Sequence, residues 1–466
     1  MPRESQHVAA QEYSQLRTVI KGQVLEPGDA GYDDARTVFY GKFHHRRPAV
    51  IVKVADANDV SQVVNFAREH GIDLAVRSGG HSLAGHSNPD GGILIDLSLM
   101  KGLEFDVPNR TAWAETGLTA GEYTVAAGKH GLATGFGDTP SVGIGGLTLG
   151  GGIGFLVRKH GLTIDDLLAA EIVTADGEIR HVDANNHPDL FWAIRGGGGN
   201  FGVVTRFKFR LHEIDKIVGG MLILPATPDV IAEFIAQAEA APDELSTIAN
   251  VMVGAPMPFL PEEHHGKLII MALMAYTGDV SNGEKIFAPF RALSPLVDMV
   301  QTMPYPEIYK LMEAEGGPPE EVARTLFLDT FDRDVAETVV EHLQRASTFA
   351  VAQFRVLGGA MARVPVDATA FAHRSRRYMA AIGAVYERAE ETPTHLAWLN
   401  DFVAALNQGA GGAYVNFLSD EGQARVREAY PGATWERLTA IKGRYDPTNL
   451  FHLNQNIPPA TNGARS

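Results

Sequence analysis

Glycine clustering constrains the fold of this chain more than any other feature of its sequence. Glycine occupies 49 of the 466 positions, and many of these residues fall into three segments: RSGGHSLAGHSN at Arg77–Asn88, GIGGLTLGGGIG at Gly143–Gly154 and RGGGGNFGVVT at Arg195–Thr205. Glycine lets the backbone turn sharply and approach a ligand closely, so that backbone N–H groups reach anionic oxygens. Three such segments in one region predict a long, flat, phosphate-containing ligand lying against the backbone.

Simpler interpretations exist for the first two segments. The alternative for the first segment is a surface turn that happens to contain a histidine. Gly79 and Gly80 before His81, and a second Gly-His pair after it, favour a ligand-binding loop instead. The second is otherwise a flexible linker, but its interleaved Ile and Leu residues supply buried anchors that a solvated linker does not need. Seven of its twelve positions are glycine, so we expect it not to pack as a helix.

The third segment formally matches the GxGxxG pattern between Gly197 and Gly202. In a Rossmann fold that pattern follows a strand and opens a helix. Here the apolar and basic alternation of Val203–Leu211 predicts a following strand, so we reject the Rossmann interpretation. No Gly-Lys-Ser/Thr ending accompanies any of the three segments, which argues against ATP hydrolysis.

Composition excludes several classes of protein and of site. The chain has no cysteine, so disulfides, thiolate metal sites and cysteine nucleophiles are absent, and its histidines show no metal-binding spacing. The net charge of −16 argues against nucleic-acid and anionic-membrane partners. No signal peptide is visible and the longest apolar run, near Leu268–Tyr276, is too short to span a bilayer. We therefore expect a cytoplasmic protein with a small-molecule substrate; its oligomeric state is not readable.

Local patterns predict an α+β fold. Val50–Val54, Leu74–Val76 and Ile93–Leu97 are predicted strands, and between the first two a helix begins at the cap Asp56 and ends at Gly71. A second unit has strands near 113–115, 169–174 and 178–182 and helices near 119–130 and 190–194. From residue 216, the strand-like runs Gly219–Leu224, Leu268–Ala275, Phe349–Gly358 and Tyr378–Val385 alternate with helices at Val230–Ala240 and Val335–Arg345, which predicts an antiparallel sheet.

These motifs resemble the vanillyl-alcohol-oxidase and para-cresol-methylhydroxylase flavoprotein superfamily, and in particular its berberine-bridge-enzyme-like oxidases. The resemblance covers roughly 48–211 and 413–459 and includes TPSVGIGG, AYVNF and YDPTNLFHLNQNIPP besides the glycine segments. It implies a two-subdomain FAD-binding domain plus an antiparallel-sheet substrate domain covering the flavin. The implied divisions are a lead-in at 1–47, the FAD-binding domain at 48–215, the substrate-binding domain at 216–420 and a segment at 421–466 that returns to the FAD domain.

The resemblance also implies which residues hold FAD. His81 would carry the flavin covalently, and the loop around it would cradle the pyrophosphate. The implied contacts are Arg77, Ser78, Gly79, Gly80, His81, Ser82, His86, Thr139, Pro140, Val142, Gly143, Gly145, Gly146, Gly150, Gly152, Gly154, Gly199, Asn200, Gly202, Val204, Asn416, Asn454 and Asn456.

Two departures from the family pattern bear on the chemistry. Many relatives add a second flavin link through a Cys where this chain has Thr139, so the resemblance implies a single link through His81. Relatives commonly end AYVNF with a Tyr that serves in proton abstraction, whereas this chain has Phe417. The base is then another group, such as Tyr378 or Tyr414, or water.

Further candidates for the substrate side are Gln353 and Arg355, and for each of these the alternative is a structural sheet residue. Val142 occupies a position that in relatives influences oxygen access, and its small branched side chain resembles the oxidase pattern.

Two functional hypotheses follow. In the first, the protein is an oxidase that takes hydride from a C–H bond next to O or N in an alcohol, sugar or secondary metabolite, and passes the electrons to O2 to give H2O2. An easily oxidised substrate such as a hydroquinone would need no strong base. In the second, the protein is a flavin-containing binding or drug-resistance protein that sequesters or re-oxidises a reduced aromatic compound. The missing Tyr favours the second hypothesis, and peroxide release distinguishes the two.

Overall fold

The computed structural model describes residues 10–313, 316–409 and 411–460. Within these residues the strands are β1 (Gln23–Leu25), β2 (Val50–Lys53), β3 (Leu74–Arg77), β4 (Ile93–Asp96), β5 (Leu103–Asp106), β6 (Thr111–Glu115), β7 (Leu132–Ala133), β8 (Leu167–Val173), β9 (Ile179–Asp183), β10 (Val203–Arg210), β11 (His212–Glu213), β12 (Lys216–Pro225), β13 (Leu245–Val253), β14 (Leu268–Tyr276), β15 (Val297–Asp298), β16 (Gln301–Pro304), β17 (Glu320–Leu328), β18 (Phe349–Val356) and β19 (Tyr378–Tyr386).

The α-helices of the same residues are α1 (Ala10–Val19), α2 (Tyr32–Ala35), α3 (Ala57–His70), α4 (Ala120–Gly128), α5 (Ile144–Leu149), α6 (Val157–His160), α7 (Pro188–Ile194), α8 (Pro228–Ala240), α9 (Gly283–Arg291), α10 (Arg333–Gln344), α11 (Gly359–Arg363), α12 (Thr392–Leu406), α13 (Gln423–Ala429) and α14 (Ala433–Tyr445). Among the described residues, no helix combines the length and apolar character needed to cross a bilayer.

The first sheet has the order β1-β2-β4-β3, in which β2, β4 and β3 run parallel and β1 is an antiparallel edge. Its strands are continuous apolar runs because both faces are buried: Val50 and Val52 pack with α3, whereas Ile51 packs on the opposite side. The predicted helix between β2 and β3 is confirmed. The Asp56 side chain accepts hydrogen bonds from two backbone N–H groups of the first turn, and Gly71 ends the helix at φ 64°.

The second sheet is antiparallel and has the order β5-β6-β10-β8-β9. Its β8–β9 hairpin turns at Gly177, which has φ 82°, as the Asp-Gly pair predicts. The third glycine segment leads into β10, which confirms that it is not a Rossmann turn.

The largest sheet has eight strands within the described residues, in the order β15-β12-β14-β13-β18-β19-β17, with β16 also paired to β12. All its pairings are antiparallel. One face is covered by α8, α10 and α12, and the other face packs against the second sheet. The α+β class with an antiparallel substrate-side sheet is therefore confirmed, while the exact domain boundaries stay predictions.

Two local expectations are corrected. The second glycine segment was expected not to form a helix, but Ile144–Leu149 is the helix α5. Ile144 and Leu149 are buried on it, so tertiary packing overrides the low helix propensity of glycine. The polar lead-in at 1–47, with its scattered Tyr and Phe, predicts a short helical segment, but Gln23–Leu25 within it forms the edge strand β1.

Candidate cofactor and substrate site

A cavity of about 550 Å³ lies between the glycine segments and the open face of the largest sheet. It brings together many residues that the sequence singled out. The predicted residues that line it are Ser78, Gly79, Gly80, His81, Ser82, His86, Thr139, Val142, Gly143, Gly145, Gly146, Gly199, Asn200, Gly202, Val204, Tyr414, Asn416 and Asn454. Further parts of the wall come from the lead-in, the first sheet, β17, β18, β19 and the C-terminal tail.

The first and second glycine segments touch backbone to backbone. A Cβ atom on Gly79 would lie 2.1 Å from the backbone nitrogen of Gly143, so neither segment tolerates a side chain there. Ser78 Oγ donates to the carbonyl oxygen of Thr116 at 2.5 Å and accepts the N–H of Gly145 at 3.2 Å. The glycines therefore let the two backbone segments lie in direct contact in the cavity wall.

His81 lies at the cavity wall with its ring stacked on Phe39, the ring centroids being 4.1 Å apart. Burial lowers the pKa of His81 to about 4, although a hydrogen bond with the backbone of Ser141 acts in the opposite direction. The imidazole is therefore neutral at physiological pH, and a ring nitrogen lone pair is available.

The third glycine segment is anchored to the C-terminal tail through Asn200. Its amide donates to the carbonyl oxygens of Gly197 at 2.9 Å and Gln455 at 3.2 Å, and its Oδ1 accepts the N–H of Ile457 at 2.9 Å. These bonds leave Gly199 at the cavity wall with open space on the side where a Cβ would stand.

Several polar groups in the cavity have no hydrogen-bond partner in the part of the protein that the structure describes, and FAD fits the cavity because it can bond to them. Within the described part of the chain, His86 Nε2, Ser87 Oγ and Asn454 Oδ1 are buried without hydrogen-bond partners, and all three residues line the cavity. Buried polar atoms of folded proteins are almost always paired, so these three indicate a polar ligand. Gly146 adds a second wall position where a Cβ would meet nothing within 4 Å.

A polar cluster faces the cavity from the largest sheet. Arg355 pairs with Asp138 (Nη2 to Oδ2, 2.6 Å) and donates to Gln353 Oε1 at 3.0 Å and to the carbonyl oxygen of Ile153 at 3.1 Å. Gln353 in turn donates to Asn250 at 2.9 Å. The Arg355 side chain is 4% exposed, so the cluster is a desolvated set of donors and acceptors.

Tyr414, one of two candidate bases, lines the cavity but is held as an anchor. Its hydroxyl oxygen accepts the N–H of Gly152 and the side-chain amide of Asn416, each at 3.0 Å. Burial raises the pKa of Tyr414, so the phenol stays protonated. Phe417 lies beside it, and the guanidinium of Arg355 is 5.5 Å from the Phe417 ring centroid.

Tyr378, the other candidate base, does not line the cavity, and its interpretation as a residue facing the flavin is corrected. Its side chain packs in the cluster beneath α8, α10 and α12, on the opposite face of β19. There its hydroxyl donates to Glu239 at 2.7 Å, and burial together with that carboxylate raises its pKa to about 12. It is a structural sheet residue.

Six of the implied FAD contacts also lie outside the cavity wall, and for five of them the structure gives a packing or ion-pairing reason. They are Arg77, Pro140, Gly150, Gly152, Gly154 and Asn456. Arg77 forms a buried ion pair with Asp96 at 2.8 Å. Pro140 packs so closely on Gly121 that a Cβ added to Gly121 would lie 2.9 Å from the Pro140 side chain. Cβ atoms added to Gly150, Gly152 and Gly154 would collide with Asn416, Thr163 and the Phe136 carbonyl. For Asn456 only the backbone oxygen is bonded, to the side chain of Gln423, and its side-chain Oδ1 is buried without a partner among the described residues.

Sequence reasoning missed three groups at the cavity wall: Tyr40, Glu321 and Asp138. Tyr40 comes from the lead-in and Glu321 from the edge strand β17, and neither residue lies in one of the motifs that the sequence singles out. Lys42, which pairs with Glu321, is 279 residues away from it in sequence, so no local motif joins them. Asp138 directly precedes the TPSVGIGG motif, and this adjacency is the sequence signal that could have identified it as a site residue.

Comparison with known proteins identifies the relatives of this chain. A family model described as an FAD binding domain matches residues 48–183, and one described as berberine and berberine like matches residues 413–458. The (R)-6-hydroxynicotine oxidase of Paenarthrobacter nicotinovorans is 30% identical over 94% of this chain and 97% of its own. An uncharacterized FAD-linked oxidoreductase of Bacillus subtilis, YgaK, is 32% identical over 95% of this chain and 98% of its own.

Two solved structures have the same fold as this chain. The 6-hydroxy-D-nicotine oxidase from Arthrobacter nicotinovorans superposes with a TM-score of 0.83 at 28% identity, covering 94% of this chain and 98% of the other. Berberine bridge enzyme, solved with (S)-reticuline, superposes with a TM-score of 0.85 at 22% identity over 97% and 99% of the two chains, which shows the shared fold. None of these relatives supports the hypothesis of a binding or resistance protein.

Proposed function

The chain belongs to the berberine-bridge-enzyme-like family of FAD-linked oxidoreductases, and from this membership we propose that it is an oxidase whose flavin is attached through His81 alone. That it is an FAD-dependent oxidoreductase follows from the family itself. The observation that carries the proposal is the continuity of one cavity, which runs from the glycine segments to the Gln353–Arg355 cluster. A cofactor held by the glycine segments and a small substrate held by the Gln353–Arg355 cluster would therefore share one cavity.

The single link rests on the residues around the cofactor wall. His81 offers a neutral imidazole at the cavity, and its stacking on Phe39 fixes the ring plane. The chain has no cysteine, and Thr139 stands in the cavity wall with its hydroxyl donating to Asp138 at 3.1 Å. When bound, FAD supplies the redox chemistry by accepting a hydride equivalent from the substrate and passing the electrons to O2.

Binding of the substrate and removal of its proton are left to the side chains of the protein. Arg355 is permanently charged, so it binds and orients a substrate oxygen or nitrogen but accepts no proton. Phe417 has no titratable group, and Tyr414 and Tyr378 are engaged elsewhere. Asp138 lines the cavity next to Arg355, and we assign the substrate's proton to its carboxylate.

Anaerobic flavin reduction tests the redox proposal. Purified protein is mixed under argon with a panel of alcohols, sugars, phenolic metabolites and amines that includes 6-hydroxynicotine, and the flavin absorbance is followed. The proposal expects at least one compound to bleach the flavin, and readmission of air to restore the colour with H2O2 release. Bleaching that air does not reverse would identify a dehydrogenase and contradict the oxidase assignment.

Variants separate the proposed roles at the substrate end. Asp138→Asn and Arg355→Met are each expected to lower the rate of flavin reduction by about 10²–10⁴-fold, the usual worth of a general acid or base and of its orientation. Arg363→Met is the matched control, because Arg363 forms an exposed pair with Asp243 at 2.7 Å. Unchanged reduction by Asp138→Asn would remove that residue from the mechanism.

We also propose the cellular location of the enzyme and the kind of partner it binds. The net charge of −16 supports action on small molecules without nucleic-acid or membrane partners, and we place the protein in the cytoplasm. Fractionation of the producing cells with an antibody against the native protein tests this. Recovery in the culture medium or the membrane fraction would contradict it.

A further inference from the structure

A second polar group stands at the cavity wall, away from the Gln353–Arg355 cluster. Glu321, on β17, lines the cavity and pairs with Lys42 at 3.4 Å; the side chains are 13% and 16% exposed. Tyr40 lines the same part of the wall, and the Lys42 ammonium lies 5.7 Å from its ring centroid. Neither the glycine segments nor the oxidase chemistry accounts for this group.

The Glu321 carboxylate is only weakly neutralised. Its ion pair is 3.4 Å long, against 2.6 Å for Arg355 and Asp138. The Lys42 ammonium donates both to the Glu321 carboxylate and to the backbone carbonyl oxygen of Glu321. Burial raises the pKa of Glu321 even though Lys42 acts in the opposite direction. Such a carboxylate gains from any further cationic or hydrogen-bond donor.

The charge that reaches the cavity at this end is negative. Glu321 lines the cavity, whereas Lys42 is not part of the wall and approaches the carboxylate from behind. Arg324, a cation that does belong to the wall, is held by Glu421 at 3.2 Å and by Ser419 Oγ at 3.0 Å. Burial and the nearby Glu321 carboxylate raise the pKa of Tyr40, so its hydroxyl remains a phenol.

The sheet face between the two polar groups is made of small residues. Ala323 pairs with Gly383, and Gly383 pairs with Val351 on the other side. On β19, Ala381 and Val385 lie two residues before and two residues after Gly383. Gln353 is paired with Ala381, and Glu321 is paired with Val385. A flat substrate body therefore fits over Ala323 and Gly383, with one end at Gln353 and the other at Glu321.

We propose that Glu321, backed by Lys42 and flanked by Tyr40, is the specificity-determining residue of the cavity and selects substrates that carry a cationic nitrogen group remote from the oxidised carbon. The inference rests on the proposed oxidase function, because it concerns the substrate end of that same cavity. The carboxylate binds the cation directly, and the cation contributes the charge-assisted hydrogen bond that Lys42 supplies poorly at 3.4 Å.

The test uses the holoenzyme and three isosteric probes that have no oxidisable C–H bond beside the polar group: benzamidine as the cation, benzamide as the neutral form and benzoate as the anion. Binding is followed anaerobically by perturbation of the flavin absorbance spectrum. We expect benzamidine to bind about tenfold more tightly than benzamide, the worth of one charge-assisted hydrogen bond, and benzoate to bind weakest.

Glu321→Gln is expected to abolish the preference for benzamidine while leaving benzamide binding unchanged. Glu320→Gln is the matched control, since Glu320 is the adjacent acid on the same strand and does not line the cavity. Lys42→Met is expected to strengthen the preference, because it removes the competing cation. A holoenzyme that retains its flavin in each variant establishes that the fold is intact.

Three results would overturn the inference: an equal affinity for benzamidine and benzamide, an effect of Glu320→Gln as large as that of Glu321→Gln, or no binding of any probe at millimolar concentration. The oxidase proposal is judged separately by flavin reduction and peroxide release, neither of which these probes undergo. Each proposal can therefore fail without the other.

Discussion

Lys442 and Asp446 form an ion pair whose side chains are both 0% exposed, with Nζ 2.6 Å from Oδ2. The ammonium also donates to the carbonyl oxygens of Asn200 at 2.7 Å and Phe451 at 2.8 Å. Asp446 in turn accepts the backbone N–H of Leu450 at 2.7 Å and that of Phe451 at 2.9 Å. The pair thus joins α14 to the third glycine segment and to the tail, and both Asn200 and Phe451 line the cavity.

Lys442→Met is expected to lower the free energy of unfolding by about 3–5 kcal/mol, because it leaves the Asp446 carboxylate buried without its counter-charge and two carbonyl oxygens without their donor. The midpoint of urea unfolding, followed by tryptophan fluorescence on the holoenzyme, measures the loss. Lys310→Met is the matched control: Lys310 pairs with Glu307 at 2.7 Å but is 64% exposed, so the expected change is within about 1 kcal/mol.

The double variant Lys442→Met/Asp446→Asn is expected to be more stable than Lys442→Met alone. Asparagine removes the unpaired charge, and its single amide oxygen still accepts one of the two N–H groups of Leu450 and Phe451. The reasoning is refuted if Lys442→Met costs no more than Lys310→Met, or if the double variant is less stable than the single one.

Two further predictions concern the cofactor wall and the response to acid. Gly146→Val, which puts a side chain into the open space at the cavity wall, is expected to lower the flavin content of the purified protein about tenfold or more, measured by absorbance, whereas Gly316→Val, at an open position outside the wall, keeps full flavin content. Burial lowers the pKa of His160 to about 3 and of His373 to about 4, so the unfolded chain binds more protons below about pH 6.5 and stability falls as the pH drops from there toward 4. Thermal midpoints across that range check this, and a midpoint that rises on acidification would contradict it.

Elements with local signals were predictable from the sequence. The helix α3 begins and ends where Asp56 and Gly71 predict, because a cap and a left-handed glycine act on their own backbone. The segment from Ile144 to Leu149 was not predictable, because its helical form depends on burial against distant parts of the chain. Gly145 illustrates this: a Cβ there would lie 3.0 Å from Ser78, a contact that no local pattern encodes.

The candidate site divides in the same way. The glycine segments and His81 were found because their residues are adjacent in sequence. Tyr378 was placed on the correct strand but the wrong face, because β19 is apolar along both faces and lacks the alternation that assigns one to a core. Tyr40 and Glu321 were missed because only the folded chain brings the lead-in to the edge strand β17.

The mass of the acid-denatured chain tests the central claim most directly. We expect the wild-type polypeptide to be heavier than its sequence by one FAD, and the His81→Ala polypeptide to have the mass of the bare chain. A wild-type chain at its bare mass, with all flavin in the acid supernatant, would contradict the attachment of the cofactor through His81.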